Sequence, residues 1–419
     1  MTLLMFGCGS GGSNKVIVID DSLLVLPQIG EPLPESVIEY DKIASDVTGL
    51  QLTANQSTGQ TLLWQSPDGF TGVLPTFSIN VSDYQEGGGW GSLKTVKTNS
   101  PLTETRLVRD VLGDLHVSWF VPGREIASRS KVNNEWQGEN LFTTNGSCLE
   151  VDSGNSNTGT GAIWCDINHL VNWEIKDSDG WEKIDNIDDQ DIEKRNLSFK
   201  MLNNGNYLLS WVPPGFDITN QIEDYSLRVG EFDSLGVKIS ETSVTSFEQY
   251  SLPNNKIFTD KENSHLLVWG DYGKPFITEL VVSIFNGVWS EPKVLNSLAP
   301  GYVKYDAHYL ASGNIILLAH QYAINGLEIH YYNGNSWLEI GVIEDVTSFD
   351  AAVEENALLL VYANELETKG IKIEAGTISD DIFKLEQKVN SIGVANLGSN
   401  KLMTVWTRLG DAYYTIIEY

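Results

Sequence analysis

The sequence has little cysteine, little positive charge and no long apolar run. It contains three cysteines in 419 residues, and 27 Lys and Arg residues stand against 56 Asp and Glu residues, which gives a net charge of −29. A chain with this charge repels phosphate, so we expect no nucleic-acid partner and no attraction to an anionic lipid surface. After the N-terminus, no segment approaches the ~18 consecutive apolar residues of a transmembrane helix.

Familiar catalytic signatures are also missing. The six histidines show no metal-ligand spacing, and neither a Gly-x-Ser-x-Gly elbow nor a phosphate-binding loop occurs. His308 and His320, with Asp306 nearby, come closest to a metal or acid/base group, with histidines hydrogen-bonded inside a sheet as the alternative. The sequence therefore assigns no catalytic residue, no metal ligand and no cofactor. Acidic stretches at 177–179 and 185–191 leave a Ca²⁺ site open, although they lack the spacing of a helix-loop-helix calcium loop.

What the sequence does contain is a repeat. A short apolar run that ends in an aromatic residue, or once in alanine, occurs eight times at intervals of 43 to 58 residues. The eight runs end at Trp64, Trp119, Trp164, Trp211, Trp269, Ala319, Tyr362 and Trp406. This period matches the length of a four-stranded propeller blade.

A second aromatic residue follows seven of the copies after 17 to 26 residues. These residues are Trp90, Trp136, Trp181, Phe232, Trp289, Trp337 and Phe383. Clusters of Gly, Pro, Asn and Asp separate the apolar runs, which predicts antiparallel strands A to D in each repeat. The first aromatic residue is predicted to end strand B and the second to open strand D. Trp269 is predicted to pack between blades, with its indole N–H bonded to neighbouring backbone.

The last copy of the repeat is incomplete. Thirteen residues follow Trp406, enough for strand C and no more, whereas the β-like stretch 36–43 precedes the first repeat. A sheet without its outer strand would leave an open edge, and a propeller has to close its ring. We therefore predict an all-β, eight-bladed β-propeller in which the N-terminal strand completes the last blade, with seven blades as the alternative.

The N-terminus carries a short apolar stretch, residues 1–6, that runs into Gly7, Cys8 and a Gly/Ser-rich segment. It resembles the end of a bacterial lipoprotein signal, which implies cleavage after residue 7 and acylation of Cys8. In this interpretation residues 8–35 are a tether and residues 36–419 the propeller. The resemblance implies an outer-membrane lipoprotein of the cell envelope, facing the periplasm or the cell surface. The alternative is a chance cysteine in a terminal segment.

The two other cysteines, Cys148 and Cys165, lie on predicted strands A and B of the third blade. A hairpin centred near residue 156 or 157 would place them opposite each other, so a cross-strand disulfide is geometrically possible. Export to an oxidising compartment would favour it. Two buried free thiols are the alternative.

With the repeats assigned, the chain resembles the sialidase-like group of secreted bacterial β-propellers, whose blades carry a tryptophan just after the C–D turn. The stretch from Asp177 to Trp181 occupies the place of that group's Ser-x-Asp-x-Gly-x-x-Trp motif, but its Asp179 is two residues from the tryptophan instead of five. Sialidase chemistry would also need three converging arginines, and the chain has seven in all. An exo-acting glycan-degrading enzyme is therefore the alternative function.

Binding is the function that the loops favour. Propellers place ligands around the central channel, on the face that carries the D–A and B–C loops. After strand B the chain offers Phe70 and the candidate contacts Arg124, Phe216, Tyr272, Lys274, Tyr322 and Arg408. Because these loops differ from blade to blade, they favour one composite site or a protein-interaction face over eight equal sugar sites. We predict a monomeric, membrane-anchored binding module for a protein or glycan ligand.

Overall fold

The structure is a computed structural model of the chain. It describes residues 37–55, 59–71, 74–101, 104–110, 113–121, 125–153, 160–166, 171–177, 180–184, 195–213, 226–246, 254–260, 262, 264–274, 277–298, 302–321, 325–385 and 389–419. These residues form 33 β-strands joined by turns. No helix among them is long and apolar enough to span a membrane.

The strands group into eight antiparallel sheets, the blades, numbered here in chain order. The first strand, β1, is Val37–Ala44. The strands of blades 1 to 4, from A to D, are β2 Thr48–Asn55, β3 Gly59–Thr71, β4 Leu74–Gln85, β5 Gly89–Trp90 with β6 Lys94–Ser100; β7 Glu104–Arg109, β8 Leu115–Phe120, β9 Ile126–Val132, β10 Glu135–Thr143; β11 Gly146–Ser153, β12 Thr160–Asp166, β13 Val171–Asp177, β14 Gly180–Ile184; β15 Arg195–Met201, β16 Tyr207–Val212, β17 Ser226–Phe232 and β18 Lys238–Ser246. Those of blades 5 to 8 are β19 Asn255–Thr259, β20 His265–Lys274, β21 Ile277–Phe285, β22 Lys293–Leu298; β23 Tyr302–Tyr309, β24 Ile315–Gln321, β25 Gly326–Tyr332, β26 Trp337–Ile343; β27 Ser348–Glu354, β28 Ala357–Ala363, β29 Thr368–Glu374, β30 Thr377–Leu385; β31 Ser391–Gly398, β32 Lys401–Arg408 and β33 Asp411–Glu418.

The blades form a closed ring with the A strands innermost. Contacts join the A strands of seven of the eight pairs of neighbouring blades. At the eighth, between blades 6 and 7, the Lys304 ammonium donates a hydrogen bond to the Phe349 carbonyl at 3.1 Å. The eight-bladed propeller predicted from the repeat is therefore confirmed. An eight-membered ring of sheets leaves a central channel walled by the A strands.

The ring closes in the way the incomplete last copy predicts. Strand β1 pairs antiparallel with β33, with Val37 opposite Ile417 and Ala44 opposite Ala412. Blade 8 thus takes its outer strand from the start of the propeller and its other three from the end. The pairing removes the open edge that β33 would otherwise present to solvent.

Apolar clusters between successive blades hold the ring together. Trp269 illustrates this: its side chain is 1% exposed and packs with Leu208 and Val229 of blade 4. Its predicted role as a packing residue between blades is confirmed. The predicted bond of its indole N–H is wrong, because Trp269 Nε1 is buried with no hydrogen-bond partner among the described residues. Packing area outweighs one unsatisfied donor at this position.

Three of the second aromatic residues lie elsewhere than predicted. Trp289 precedes strand D of blade 5, which begins at Lys293. Phe232 ends strand C of blade 4 instead of opening strand D, which begins at Lys238. Phe383 lies late in strand D of blade 7, which begins at Thr377. Both phenylalanine rings are buried in the core, so the sequence pattern detected apolar burial correctly but placed it on the wrong part of the strand.

The predicted disulfide is present. Cys148 and Cys165 lie opposite each other on strands A and B of blade 3, with their Cα atoms 4.9 Å apart. The bond ties the innermost strand of this blade to its neighbour. The predicted signal, residues 1–7, and the predicted tether, from Cys8 to residue 35, lie outside the residues that the structure describes.

Candidate binding surface: the top face and the channel

The face that carries the D–A and B–C connections is here called the top face, and the opposite one the bottom face. Among the described residues, two B–C hairpins have a longer strand B than the others on this face. Strand B has 13 residues in blade 1 and 10 in blade 5, whereas it has six to eight in the other blades. Blades 1 and 5 are four blades apart in a ring of eight, so the two hairpins stand on opposite sides of the channel mouth.

The predicted contact residues are distributed unevenly over this face. Tyr272 and Lys274 belong to the longer strand β20 of blade 5. Arg408 is exposed at the end of strand β32 in blade 8. Arg124, Phe216 and Tyr322 lie outside the described residues. The structure thus places three of the six on the top face, without bringing those three together.

Exposed apolar side chains on this face form a feature of their own. Leu366, Leu409 and Phe70 are 80%, 90% and 76% exposed. They lie at the B–C connections of blades 7, 8 and 1, which are consecutive in the ring. Phe70 was noted from the sequence, whereas Leu366 and Leu409 were missed because a single leucine beside a turn gives no periodic signal. We call these three residues the apolar rim.

Charged residues from five blades line the channel. Each blade contributes one strand-A residue to a layer at the same height. This residue is the one that pairs with the strand-B residue just before the first aromatic residue of the repeat (alanine in blade 6). These residues are Gln51, Arg106, Glu150, Ser198, Lys256, Asp306, Asp350 and Gly393. The layer holds two cations and three carboxylates, and the Arg106 guanidinium lies 3.7 Å from the Glu150 carboxylate.

The charges of this layer act on one another across the channel. Burial lowers the pKa of Lys256, the nearby Lys200 and Lys304 lower it further, and Asp306 and Glu150 oppose the shift. The Lys256 side chain nevertheless has solvent contact. Both observations fit a wall residue that touches channel water while protein surrounds it on most sides.

Asp306 and His308 form the polar pair that the sequence singled out. Their Oδ2 and Nε2 atoms are 3.5 Å apart. Burial alone would raise the pKa of Asp306, but His308 and the two lysines Lys256 and Lys304 hold it well below its usual range. Burial likewise opposes protonation of His308, yet Asp306 and Asp350 raise its pKa. The two shifts have the directions expected for a pair that favours the charged forms of both groups in the channel wall.

His320 does not join that pair. Its Nε2 lies 2.9 Å from the Val346 carbonyl oxygen, in the D–A connection between blades 6 and 7. Within the described ranges, no group of three or more His, Cys, Asp or Glu residues is arranged to hold a metal ion. A Ca²⁺ site was left open at two acidic stretches. Residues 185–191 lie outside those ranges, and of 177–179 only Asp177 lies within them.

The described arginines are bound in separate contacts. Arg106 pairs with Glu104, Arg109 with Asp83 and Arg228 with Glu241. These three arginines therefore have separate carboxylate partners within the protein.

Comparison with known proteins identifies the fold and nothing narrower. No family model matches the chain, and no curated protein matches it. Among solved structures it is similar to Sqt1 of Saccharomyces cerevisiae at 9% identity, with 92% of this chain and 99% of that chain covered and a TM-score of 0.54. The Dos1 propeller is similar at 9% identity, with 91% and 95% covered and a TM-score of 0.51. The WD40 domain of SCAP from fission yeast is similar at 8% identity, with 91% and 94% covered and a TM-score of 0.50. At such identity the likeness shows a β-propeller fold.

Proposed function

We propose that the chain is an interaction module that binds a protein partner on its top face, at the apolar rim. Propellers of this architecture offer a rigid ring of loops, and binding residues are commonly carried on loops that a rigid scaffold positions. One residue, Leu409, carries the proposal. It combines high exposure with a backbone conformation that the fold does not require of a leucine.

Leu409 and Gly410 form the two-residue turn between strands β32 and β33, with φ angles of 52° and 86°. Turns with two positive φ angles favour Asn or Asp followed by Gly. A leucine in this region costs about 1 to 2 kcal/mol relative to its preferred conformations. Because its side chain is also 90% exposed, the leucine contributes neither turn stability nor core packing. Strain without structural benefit supports a binding role.

The neighbours of Leu409 extend this surface. Leu366 and Phe70 present apolar side chains from the blades on either side, and Arg408 adds one exposed charge next to the turn. Exposed leucine, phenylalanine and arginine together resemble the centre of a protein interface more than an ordinary solvated turn. The chain's net charge of −29 favours association with a basic partner surface.

The direction of strand β1 sets the face at which an N-terminal anchor would join the propeller. Val37 lies at the bottom end of this strand and Ala44 at the top end, where the D–A connection enters blade 1. Residues that precede Val37 therefore join the propeller at the bottom face. If Cys8 is acylated as its resemblance implies, the anchor joins opposite the apolar rim, and the rim is free to meet a partner.

Paired substitutions on the two faces test the proposal. Tagged wild-type chain, Leu409→Asn and the control Leu235→Asn would each be cross-linked in cells, and co-purifying proteins quantified by mass spectrometry. Leu235 is 74% exposed in the C–D turn of blade 4, on the bottom face. We expect a partner that is lost with Leu409→Asn and kept with Leu235→Asn. The purified partner should then bind wild type at least about tenfold more tightly than Leu409→Asn.

A partner profile unchanged by Leu409→Asn and by a Leu366→Asn, Phe70→Ser double variant would overturn the proposal. The anchor is tested separately by Cys8→Ser. We expect the wild type in the membrane fraction and the variant in the soluble fraction, together with loss of metabolic labelling by a fatty acid. Equal fractionation of both chains would contradict acylation while leaving the top-face test intact.

A further inference from the structure

A cleft of about 910 Å³ separates the outer strand of blade 8 from the outer part of blade 1. Its walls include alternate residues of strand β1, among them Glu39, Asp41 and Ile43, and alternate residues of strand β4. It runs from the B–C hairpin of blade 1 at the top to the Gly87–Trp90 turn near the bottom. Its volume lies in the range of small-molecule sites, and it is distinct from the apolar rim.

The wall on blade 1 is polar where an apolar wall would be expected. Successive residues of a strand point to opposite faces. Ile79 and Val81 face blade 2 and pack in the apolar cluster between blades 1 and 2. Ser78, Asn80 and Ser82 face the cleft instead. Packing against blade 8 would favour apolar residues at these three positions, so their polarity calls for another account.

Hydrogen bonds hold the polar wall in a fixed arrangement. The Asn80 amide donates to the Ser66 hydroxyl at 2.8 Å and accepts from the Thr95 hydroxyl at 2.9 Å. The Ser82 hydroxyl donates to the Gly91 carbonyl at 2.9 Å. Ser66, Thr95 and Gly91 also line the cleft. Asn80 and Ser82 are buried, whereas Ser66 and Thr95 are partly exposed. The hydroxyl oxygens of Ser66 and Thr95 therefore meet the cavity from positions that these hydrogen bonds fix, which lowers the entropic cost of binding a ligand.

Aromatic residues of both blades and a fixed carboxylate of strand β1 complete the surroundings of the cleft. Both oxygens of Glu39 accept hydrogen bonds at 2.6 Å, one from the Tyr84 hydroxyl and one from the Tyr414 hydroxyl. The ring of Trp90 lies 5.4 Å from that of Tyr84 and 5.8 Å from that of Tyr414. Trp90 lines the cleft, and its Nε1 has no hydrogen-bond partner among the described residues. The Nε1 atom is itself buried, so the aromatic wall offers the cleft ring surface in a fixed arrangement and no free donor.

Charge within the cleft excludes most ionic ligands. Its one lining cation, Lys42, pairs with the Asp411 carboxylate at 2.7 Å. Its carboxylates are also engaged: Glu39 by two tyrosines, Asp41 by the Lys42 backbone N–H and Asp68 by the Asn99 backbone N–H. An anion would meet three carboxylates without a free cation. A cationic group would meet carboxylates whose acceptor sites are partly occupied.

We propose that this cleft binds a neutral carbohydrate. Hydroxyl and amide groups oriented by their own hydrogen bonds match the alternating donors and acceptors of a sugar. The indole and phenol rings suit its less polar C–H face. The site is separate from the partner surface of the top face, so either can fail without the other.

Ligand-detected NMR with the complete chain tests the proposal. The probes are glucose, galactose, mannose, fucose, N-acetylglucosamine and their common disaccharides. Each is used at up to about 10 mM, a concentration at which millimolar dissociation constants are still measurable. The variants are Thr95→Val and Ser66→Ala, which remove cleft hydroxyls. The matched control is Thr245→Val, on strand D of blade 4, because Thr245 shares the partial burial of Thr95 but lies far from the cleft.

We expect at least one neutral sugar to bind, with affinity reduced about fivefold or more by each cleft variant, as for loss of one hydrogen bond, and unchanged by Thr245→Val. A sialylated sugar and a lysine-rich peptide serve as charged probes. The proposal is overturned if no neutral sugar binds, if binding is equal in the cleft variants, or if a charged probe is the one that responds to them. Folding of each variant is checked by its melting temperature, and Ser66→Ala provides a second reading should Thr95→Val be unstable.

Discussion

Blades 1 and 6 carry polar residues at equivalent positions of strand C, yet these residues have different surroundings. Asn80 pairs across the sheet with Trp64, and Glu328 pairs with Ala319, which is the same position in the repeat. In blade 6, Asn296 from blade 5 donates to Glu328 at 2.8 Å, Gln321 donates to the same oxygen, and His330 Nε2 lies 3.1 Å from the other. In blade 1 the equivalent side chain faces a cleft of about 910 Å³.

The two positions therefore differ in what surrounds the polar side chain. Glu328 is enclosed by other side chains, whereas Asn80 lies beside a cleft. Both side chains are buried, Glu328 at 0% and Asn80 at 3% exposure, and both have hydrogen-bond partners in the protein. Their surroundings differ because Ser66 and Thr95, the partners of Asn80, are partly exposed on the cleft. The cleft around Asn80 needs no polar wall for stability, because apolar residues would pack it more tightly. The polar residues in the cleft between blades 8 and 1 are not required by the fold. For this reason we propose a ligand there and not between blades 5 and 6.

The largest effect that would sharpen this comparison is expected at Glu328. Glu328→Ala removes the acceptor of buried donors on three side chains, and we expect a loss of about 3 to 5 kcal/mol in the free energy of unfolding. Asn80→Ala should lose only about 1 kcal/mol, because water in the cleft can solvate the groups it leaves behind. Urea denaturation of both variants measures the difference. Equal losses would mean that the two polar positions have the same structural role.

The effect expected at Asp350, in the channel wall, is smaller than that at Glu328 and larger than that at Asn80. Asp350 also makes the free energy of unfolding depend on pH. Burial raises its pKa from 3.8 to about 6; Asp306 adds to the shift, while Lys304 and the Val394 N–H oppose it. Between these values the folded state binds more protons than the unfolded state, so stability falls as pH rises from about 4 to about 6, by at most about 3 kcal/mol. Asp350→Asn should remove most of that fall.

Asp306 is the control for this titration, because its contribution to stability changes with pH in the opposite direction. The pKa of Asp306 is held well below its usual range, so its contribution is present above its unfolded pKa of about 4 and is lost as pH falls below it. Asp306→Asn should therefore weaken the fold at neutral pH. Thermal melts from pH 3 to pH 8 distinguish the two variants. A wild-type slope retained in Asp350→Asn would show that another group is responsible.

A smaller effect is expected from making blade 1 resemble its apolar counterparts. Ser82 pairs with Leu62, and the equivalent residue of blade 7 is Ile371, which pairs with Leu360 and is buried between blades. Ser82→Ile should change the free energy of unfolding by no more than about 1 kcal/mol, because the cleft can accept the larger side chain. Carbohydrate binding should be lost. A variant that still binds sugar with wild-type affinity would remove Ser82 from the site.

Much of the fold could be predicted because tryptophan recurs with a propeller's period. Trp64 and Trp406 mark the first and last blades, and the thirteen residues that follow Trp406 reveal that one strand is missing. Residue type alone did not determine position within a strand, as Phe232 and Phe383 show. An aromatic ring reaches the same core from the end of strand C or from late in strand D, so burial does not define its register.

The site was harder to predict because it depends on neighbours distant in sequence. Ser78, Asn80 and Ser82 read as an ordinary alternating strand, and their polarity has meaning only once strand β1 is known to lie opposite. Likewise Arg106, Glu150 and Lys256 meet in one layer only through the pairing register of three separate blades. Sequence patterns predict which face of a strand is buried, but not what the neighbouring blade presents to it.

The smallest predicted effect concerns Leu409. Like the polar residues of the cleft, this exposed leucine at a positive φ angle is not needed for the stability of the fold. Leu409→Asn places a residue that tolerates positive φ at a turn with φ of 52°, and we expect a gain of about 0.5 to 1 kcal/mol in the free energy of unfolding. The same change should weaken partner binding, so stability and binding move in opposite directions. Leu235→Asn, at a turn residue of ordinary φ, should change neither. A Leu409→Asn chain that is less stable than wild type would show that the leucine supports the hairpin, and the argument for a binding role from strain would then fail.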